Sequence, residues 1–318
     1  MGNHPFNVIV ILFWFATMGW LVVAKIVPPM RVGEPPNYSS IIEQAHDHRP
    51  VCWSVRLHDR TVGWGAGKIE RRNDGITSLE SRIYLGDFSW DEMIPAWLAG
   101  VLKPVFDDLG QPDLYKKSRL DLDPLGRLVG FESSVRIAGL IDAIKVQGQI
   151  EGTSMKLSIQ SGEFRDKIER YLPPNALMTD ELSPQSLMPG LRVGQKWTVP
   201  MYSPFRAPSD PIEILQAAVE REDYITWGGR RVRSRVIVYR PDAGSGLTNN
   251  EPRGRVWVGD DGLVLRQEVT ILRSHLQFVR LSDDEASELV AALGEDWNRN
   301  VSHQTARRVM RQLDTLSP

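Results

Sequence analysis

Six histidines and a single cysteine are the scarce reactive side chains of this 318-residue sequence. His46-Asp47-His48 is the one place where two imidazoles share a short span, and such a pair on a strand can share a metal ion. A zinc site needs further ligands at fixed spacing, and none follows. Cys52 stands beside Trp53 at the head of an alternating apolar stretch, with no histidine spaced to take its proton, so it reads as a small buried hydrophobe rather than a nucleophile. Gly63, Gly65 and Gly67 imitate a phosphate-binding loop. A dinucleotide fingerprint follows a strand and opens a helix, whereas these glycines alternate inside a strand beside Trp64, where glycine marks a bulge or a tight coil of a curved sheet. Asp121, Asp123, Asp260 and Asp261 read as turn residues; a hydrolase built on such carboxylates, or on His46 and His48 with a metal, is the alternative. No residue is therefore assigned a catalytic, metal or cofactor-binding role, and the chain is expected not to be an enzyme.

The elements that would position any site are mostly strands. From residue 51 the hydrophobic period becomes two: Trp53, Val55 and Leu57 alternate with Ser54, Arg56 and His58. Asp59-Arg60 then turns the chain into a strand over 61–71, and Asn73-Asp74-Gly75 into another over 76–85, the pattern of antiparallel hairpins with one buried face. The same reading predicts strands over 118–122, 128–137, 145–150 and 153–160, with Val129, Phe131, Val135, Ile137, Val146, Ile150, Met155, Leu157 and Ile159 facing inward. An irregular or helical stretch follows at 172–189. A closing meander covers 196–201, 212–222, 230–240, 254–258 and 263–271, with 276–281 as an edge strand. Arg230, Arg231, Arg233 and Arg235 alternate with valines and read as a solvated strand face.

Residues 87–109 break this pattern with apolar side chains at helical spacing, capped by Ser89 and carrying Asp91 and Glu92 in the first turn. Trp90, Met93, Trp97 and Leu98 on that helix are expected to fill the hollow of the sheet or to line a pocket for an acyl chain or another apolar group. Ser282 with Glu285 forms a capping box that opens a helix ending at Gly294. A basic segment over 302–316 reads as a frayed, solvated helix.

Residues 8–24 (VIVILFWFATMGWLVVA) contain no charge and are followed by a proline-rich stretch. About 20 apolar residues cross a bilayer as a helix, and this run exceeds the roughly 7–15 apolar residues of a signal peptide, so a retained single-pass anchor is expected. The implied order is an anchor over 1–27, a tether over 28–50 with a short helix near 39–45, a β-rich domain over 51–281 and a helical tail over 282–318. Lys25 and Arg31 follow the span and no basic residue precedes it, which by the positive-inside rule favours a cytoplasmic domain. A net charge of −2 leaves no basic field for nucleic acid. One cysteine excludes an intramolecular disulfide.

Three segments, WSVRLHDRTVG at 53–63, GLRVGQKWTVP at 190–200 and GRVWVGDDGLVLR at 254–266, resemble a group of uncharacterised exported bacterial β-rich proteins. That group is similar in architecture to the lipoprotein-carrier (LolA-like) half-barrels, and to segments that precede transglutaminase-like domains. The resemblance covers about residues 51–281. It implies an extracytoplasmic, periplasmic domain at the inner membrane, a strongly curved antiparallel sheet with helices over its concave face, and binding of lipid, acyl groups or an envelope protein. No transglutaminase core of Cys, His and Asp can be matched, and the resemblance implies no enzyme activity. A structural adaptor of a membrane complex, offering a sheet edge or its arginine-rich strand, is the rival expectation.

Overall fold

A computed structural model describes residues 4–23, 35–45, 49–86, 113–137, 140–172, 177–203, 206–207, 209–242, 251–271, 274–294 and 303–316. Helix α1 (His4–Leu21) and the short α2 (Tyr38–Gln44) precede the strands. β1 (Val51–Leu57), β2 (Arg60–Arg71), β3 (Thr77–Leu85), β4 (Leu114–Leu122), β5 (Leu128–Ile137), β6 (Leu140–Glu151), β7 (Ser154–Ser161) and β8 (Phe164–Tyr171) form an antiparallel meander leading away from β1. The two-residue β9 (Thr179–Asp180) lies parallel to β10 (Lys196–Tyr202). β11 (Ile212–Trp227), β12 (Arg230–Pro241), β13 (Gly254–Gly259), β14 (Val264–Ile271) and β15 (Ser274–Arg280) then bring the chain back to β1. All belong to one sheet, with α3 (Asp283–Leu293) and α4 (His303–Leu316) after it.

The sheet is mainly antiparallel, strongly curved and unclosed. β5 and β10 stand ten places apart in the strand order, which in a flat sheet would separate them by about 48 Å. Yet the rings of Phe131 on β5 and Tyr202 on β10 lie 5.1 Å apart, centroid to centroid. Strand twist accumulated over so many strands curls the sheet until its two halves meet. Between them runs a strap, residues 177–188, whose Leu177, Met178, Leu182 and Leu187 are buried with the inner faces of the strands.

Period-two alternation places Trp53, Val55, Ile83 and Phe278 on the inner face and Cys52, Trp64 and Tyr84 on the outer one. Gly65 and Gly67 let β2 pass close beneath the Trp53 ring, and opposite Gly63 the register of β1 against β2 slips between Val55 and Arg56. The glycine triplet thus serves sheet curvature. The outer face is covered by α3 and α4 through Ala286, Leu289, Ala306, Val309 and Met310. Ser282 caps α3 with Glu285 in a reciprocal box, and Asn37 with Ser40 does the same for α2.

Several expectations change. Residues 276–280 of that segment belong to β15, which is central rather than an edge, paired to both β1 and β14. β8, absent from the sequence reading, is an edge strand whose FRDKIERY sequence is charged on both faces. α4 is packed, because Ala306, Val309 and Met310 make an apolar stripe over Trp64 and Tyr84. Helices do not all lie over the hollow: α3 and α4 take the outer face, while α2 and the strap take the inner. The helix expected over 87–109, with Trp90, Met93, Trp97 and Leu98, lies outside the described residues, as does His46-Asp47-His48.

The expected membrane-spanning helix also shortens. α1 has 18 residues, about 27 Å long against roughly 30 Å of hydrocarbon, and its first turn holds the polar His4 and Asn7. Among the described residues no helix is long and apolar enough to cross a membrane. The side chains of residues 8–23 are nevertheless mostly apolar and exposed, Phe13 by 71% and Trp20 by 75%.

Candidate functional site

A cavity of about 100 Å³ lies in the hollow of the sheet, bounded by α2, the strap and the inner faces of β2 to β5. Its walls are mostly apolar, with Tyr38, Ile41, Leu79, Leu120, Phe131 and Met178, and they also hold the Lys68–Glu80 ion pair (3.4 Å) and Gln185. Tyr38 fixes α2 to the strap by donating from Oη to the Met178 carbonyl at 2.9 Å, and its burial pushes the phenol pKa upward. The far side of the strap is tied to the returning strands. Met188 N donates to the Gly262 carbonyl at 2.8 Å, Arg280 to the Ser186 carbonyl at 3.1 Å, and Tyr239 Oη to Gln185 at 3.0 Å.

The floor of the cavity is polar for a reason set by register. Ser81 on β3 pairs with Ser118 on β4, which pairs with Ser133 on β5, so one row across three strands carries hydroxyls on the inner face. Ser183 of the strap completes a triangle, with Oγ–Oγ separations of 2.7 Å (Ser81–Ser118), 2.7 Å (Ser81–Ser183) and 2.8 Å (Ser118–Ser183). Beneath it Lys116 is fully buried, its Nζ 2.6 Å from Asp180 Oδ2 and 2.8 Å from Ser183 Oγ. Asp180 also accepts from Leu182 N at 3.1 Å and Ser133 Oγ at 3.5 Å.

Burial lowers the Lys116 pKa, against the opposing pull of Asp180 and Glu181. Glu181, next on the strap, accepts a hydrogen bond from Ser203 Oγ. Burial raises its pKa to about 7, with Asp180 and Glu213 adding to the rise, while Ser203 and Arg253 oppose it. Glu213 in turn pairs with Arg253 at 3.2 Å and Arg206 at 3.4 Å.

The nearest partner of Lys116 Nζ is the Asp180 carboxylate, and the serines bond to one another and to the Lys116 nitrogen. What remains is a set of hydroxyls able to donate or accept at the end of an apolar chamber.

The residues singled out in the sequence fall elsewhere. Cys52 is buried on the outer face, 3.8 Å from the Ala286 carbonyl, and burial pushes its thiol up to about 12. Asp121 holds Ser78 at 2.6 Å and Arg119 at 2.9 Å, Asp123 caps its turn through Leu125 N and Arg127 N, and Asp260 pairs with Arg235. Among the described residues no group of three or more His, Cys, Asp or Glu side chains is placed to hold a metal ion. The site residues that sequence reasoning missed, Ser81, Lys116, Ser118 and Ser133, did leave a signal: they are polar residues at inward positions of otherwise alternating strands.

No protein-family profile and no curated protein matches the sequence. Solved bacterial structures do. A "beta-barrel-like" protein of domain of unknown function DUF1849 from Brucella abortus is 8% identical, over 73% of this chain and 95% of that one, with a TM-score of 0.44. A DUF1089 family protein from Pseudomonas aeruginosa is 16% identical over 67% and 91% of the two chains, with a TM-score of 0.35. The hypothetical lipoprotein YmcC from Escherichia coli is 7% identical over 74% and 87%, with a TM-score of 0.24. These are uncharacterised proteins; none of the three descriptions names a lipoprotein carrier or a transglutaminase.

Proposed function

We propose that this protein is a non-enzymatic binding module of the cell envelope, held at the membrane by α1, that takes an apolar group into the hollow of its sheet. The observation that carries this reading is the chamber itself, mostly apolar on its walls and hydroxylated at its floor. At about 100 Å³ it falls below a 150 Å³ apolar cavity that accepts benzene and below the roughly 300–1,000 Å³ of pockets for drug-sized ligands. It therefore takes a small apolar group or the few carbons next to a head group, not a whole lipid. Attachment through α1 rests on its exposed apolar surface, and the extracytoplasmic side on the resemblance to exported β-rich proteins and lipoprotein carriers.

The test is native mass spectrometry of the full-length protein, with organic extraction of whatever it carries. Leu120→Trp fills the chamber from β4. The proposal expects a bound apolar mass that disappears in Leu120→Trp while the circular dichroism spectrum stays that of the parent. A parent protein that carries and takes up nothing, or a bound mass indifferent to Leu120→Trp, overturns it. One observation favours the adaptor reading: β8 is an edge strand of eight residues with Phe164 and Tyr171 exposed at its ends, a template for an added strand. A chamber that stays empty, together with a partner lost on Ile168→Pro, would select that reading.

A further inference from the structure

The chamber selects the chemistry of its ligand's head, an inference that rests on the binding reading above. Lys116, buried beneath the floor, is already neutralised by Asp180 at 2.6 Å, and Lys68, which also lines the chamber, pairs with Glu70 at 2.5 Å and Glu80 at 3.4 Å, so the floor offers hydroxyls without net positive charge. An entering carboxylate would stand beside Asp180 with no free cation to receive it. A buried ammonium would find Asp180 already engaged. Both ions would also lose their hydration in an apolar chamber. A neutral head meets no such penalty. Each serine hydroxyl can donate once and accept as well, so a carbonyl or hydroxyl oxygen can replace one edge of the Ser81–Ser118–Ser183 triangle without leaving a buried polar atom unpaired.

We infer that the chamber takes an uncharged ligand, an apolar group ending in an alcohol, ester or amide, and rejects the free carboxylic acid anion and the amine cation of the same chain.

Three probes of one chain length settle this: 1-hexanol, hexanoate and hexylammonium, titrated at pH 7.5 into the full-length protein with the methyl signals of Met178 and Met188 as readout. Both methionines line the chamber. Hexanol is expected to bind tighter than either ion by about tenfold or more, and Ser118→Ala, which removes one hydroxyl, should weaken hexanol while leaving the methyl spectrum folded. Asp180→Asn supplies the sharper arm where it folds: Lys116 then lacks its carboxylate, and hexanoate should overtake hexanol. Hexanoate or hexylammonium binding as tightly as hexanol to the parent protein overturns the inference but leaves the chamber a binding site. No saturable shift with any of the three overturns the binding reading as well.

Discussion

Glu181 sits on the strap with its carboxyl turned away from water, held by Ser203 and facing Asp180 and Glu213, and its pKa rises to about 7 from the ordinary 4.5. A carboxyl whose folded pKa is raised stabilises the fold fully below about pH 4.5, and that contribution is lost as pH climbs through about 7. Glu181→Gln should remove this dependence. Thermal unfolding of the two proteins at pH 5, 6, 7 and 8 should show the variant gaining on the parent as pH rises, by up to about 3 kcal/mol at pH 8; parallel curves would contradict the assignment. Lys116 carries the opposite risk. Lys116→Met strands Asp180 as a buried, unpaired carboxylate, and breaking such a pair costs about 3–5 kcal/mol, whereas Ser118→Ala removes a neutral partner worth about 1 kcal/mol. Denaturant titration checks the order; equal losses would mean that the ion pair is more solvated than its burial indicates.

Strand glycines differ in what a side chain would meet. A Cβ on Gly63 would come 1.9 Å from the Tyr84 carbonyl oxygen, an atom of the neighbouring backbone, while one on Gly130 of β5 meets nothing nearer than 3.6 Å. Gly63→Ala should cost about 1–3 kcal/mol or more by overpacking, and Gly130→Ala should stay within about 0.5 kcal/mol, both read from urea midpoints. Strand positions were legible wherever one face is apolar, as in β1, β3, β5 and β7, because the period of two survives in the sequence. β8 was not, since an exposed edge has no buried face to mark it. The place of β15 was not either: hairpin partners follow from turns, but the pairing of Trp53 with Arg280 joins residues far apart in the chain, and local alternation carries no trace of it. The site shared that limit. Its serines stand on separate strands and the strap, and only the curl of the sheet brings them together.

At the scale of the molecule, two surfaces call for different partners. From Val8 onward α1 presents apolar side chains, exposed rather than packed on the sheet. Deleting residues 1–23 should move the protein from the membrane fraction to the soluble one and leave its melting temperature within about 2 °C of the parent; a destabilised, aggregating fragment would show instead that α1 belongs to the folded core. The hollow of the sheet is the other surface, and the proposed ligand enters there. The most direct test of that claim is a crystal of the full-length protein pressurised with xenon, which enters apolar cavities that exclude water. Xenon density between Tyr38, Leu79 and Met178 is expected in the parent protein and should be gone in Leu120→Trp. A hollow without xenon in the parent would contradict the claim.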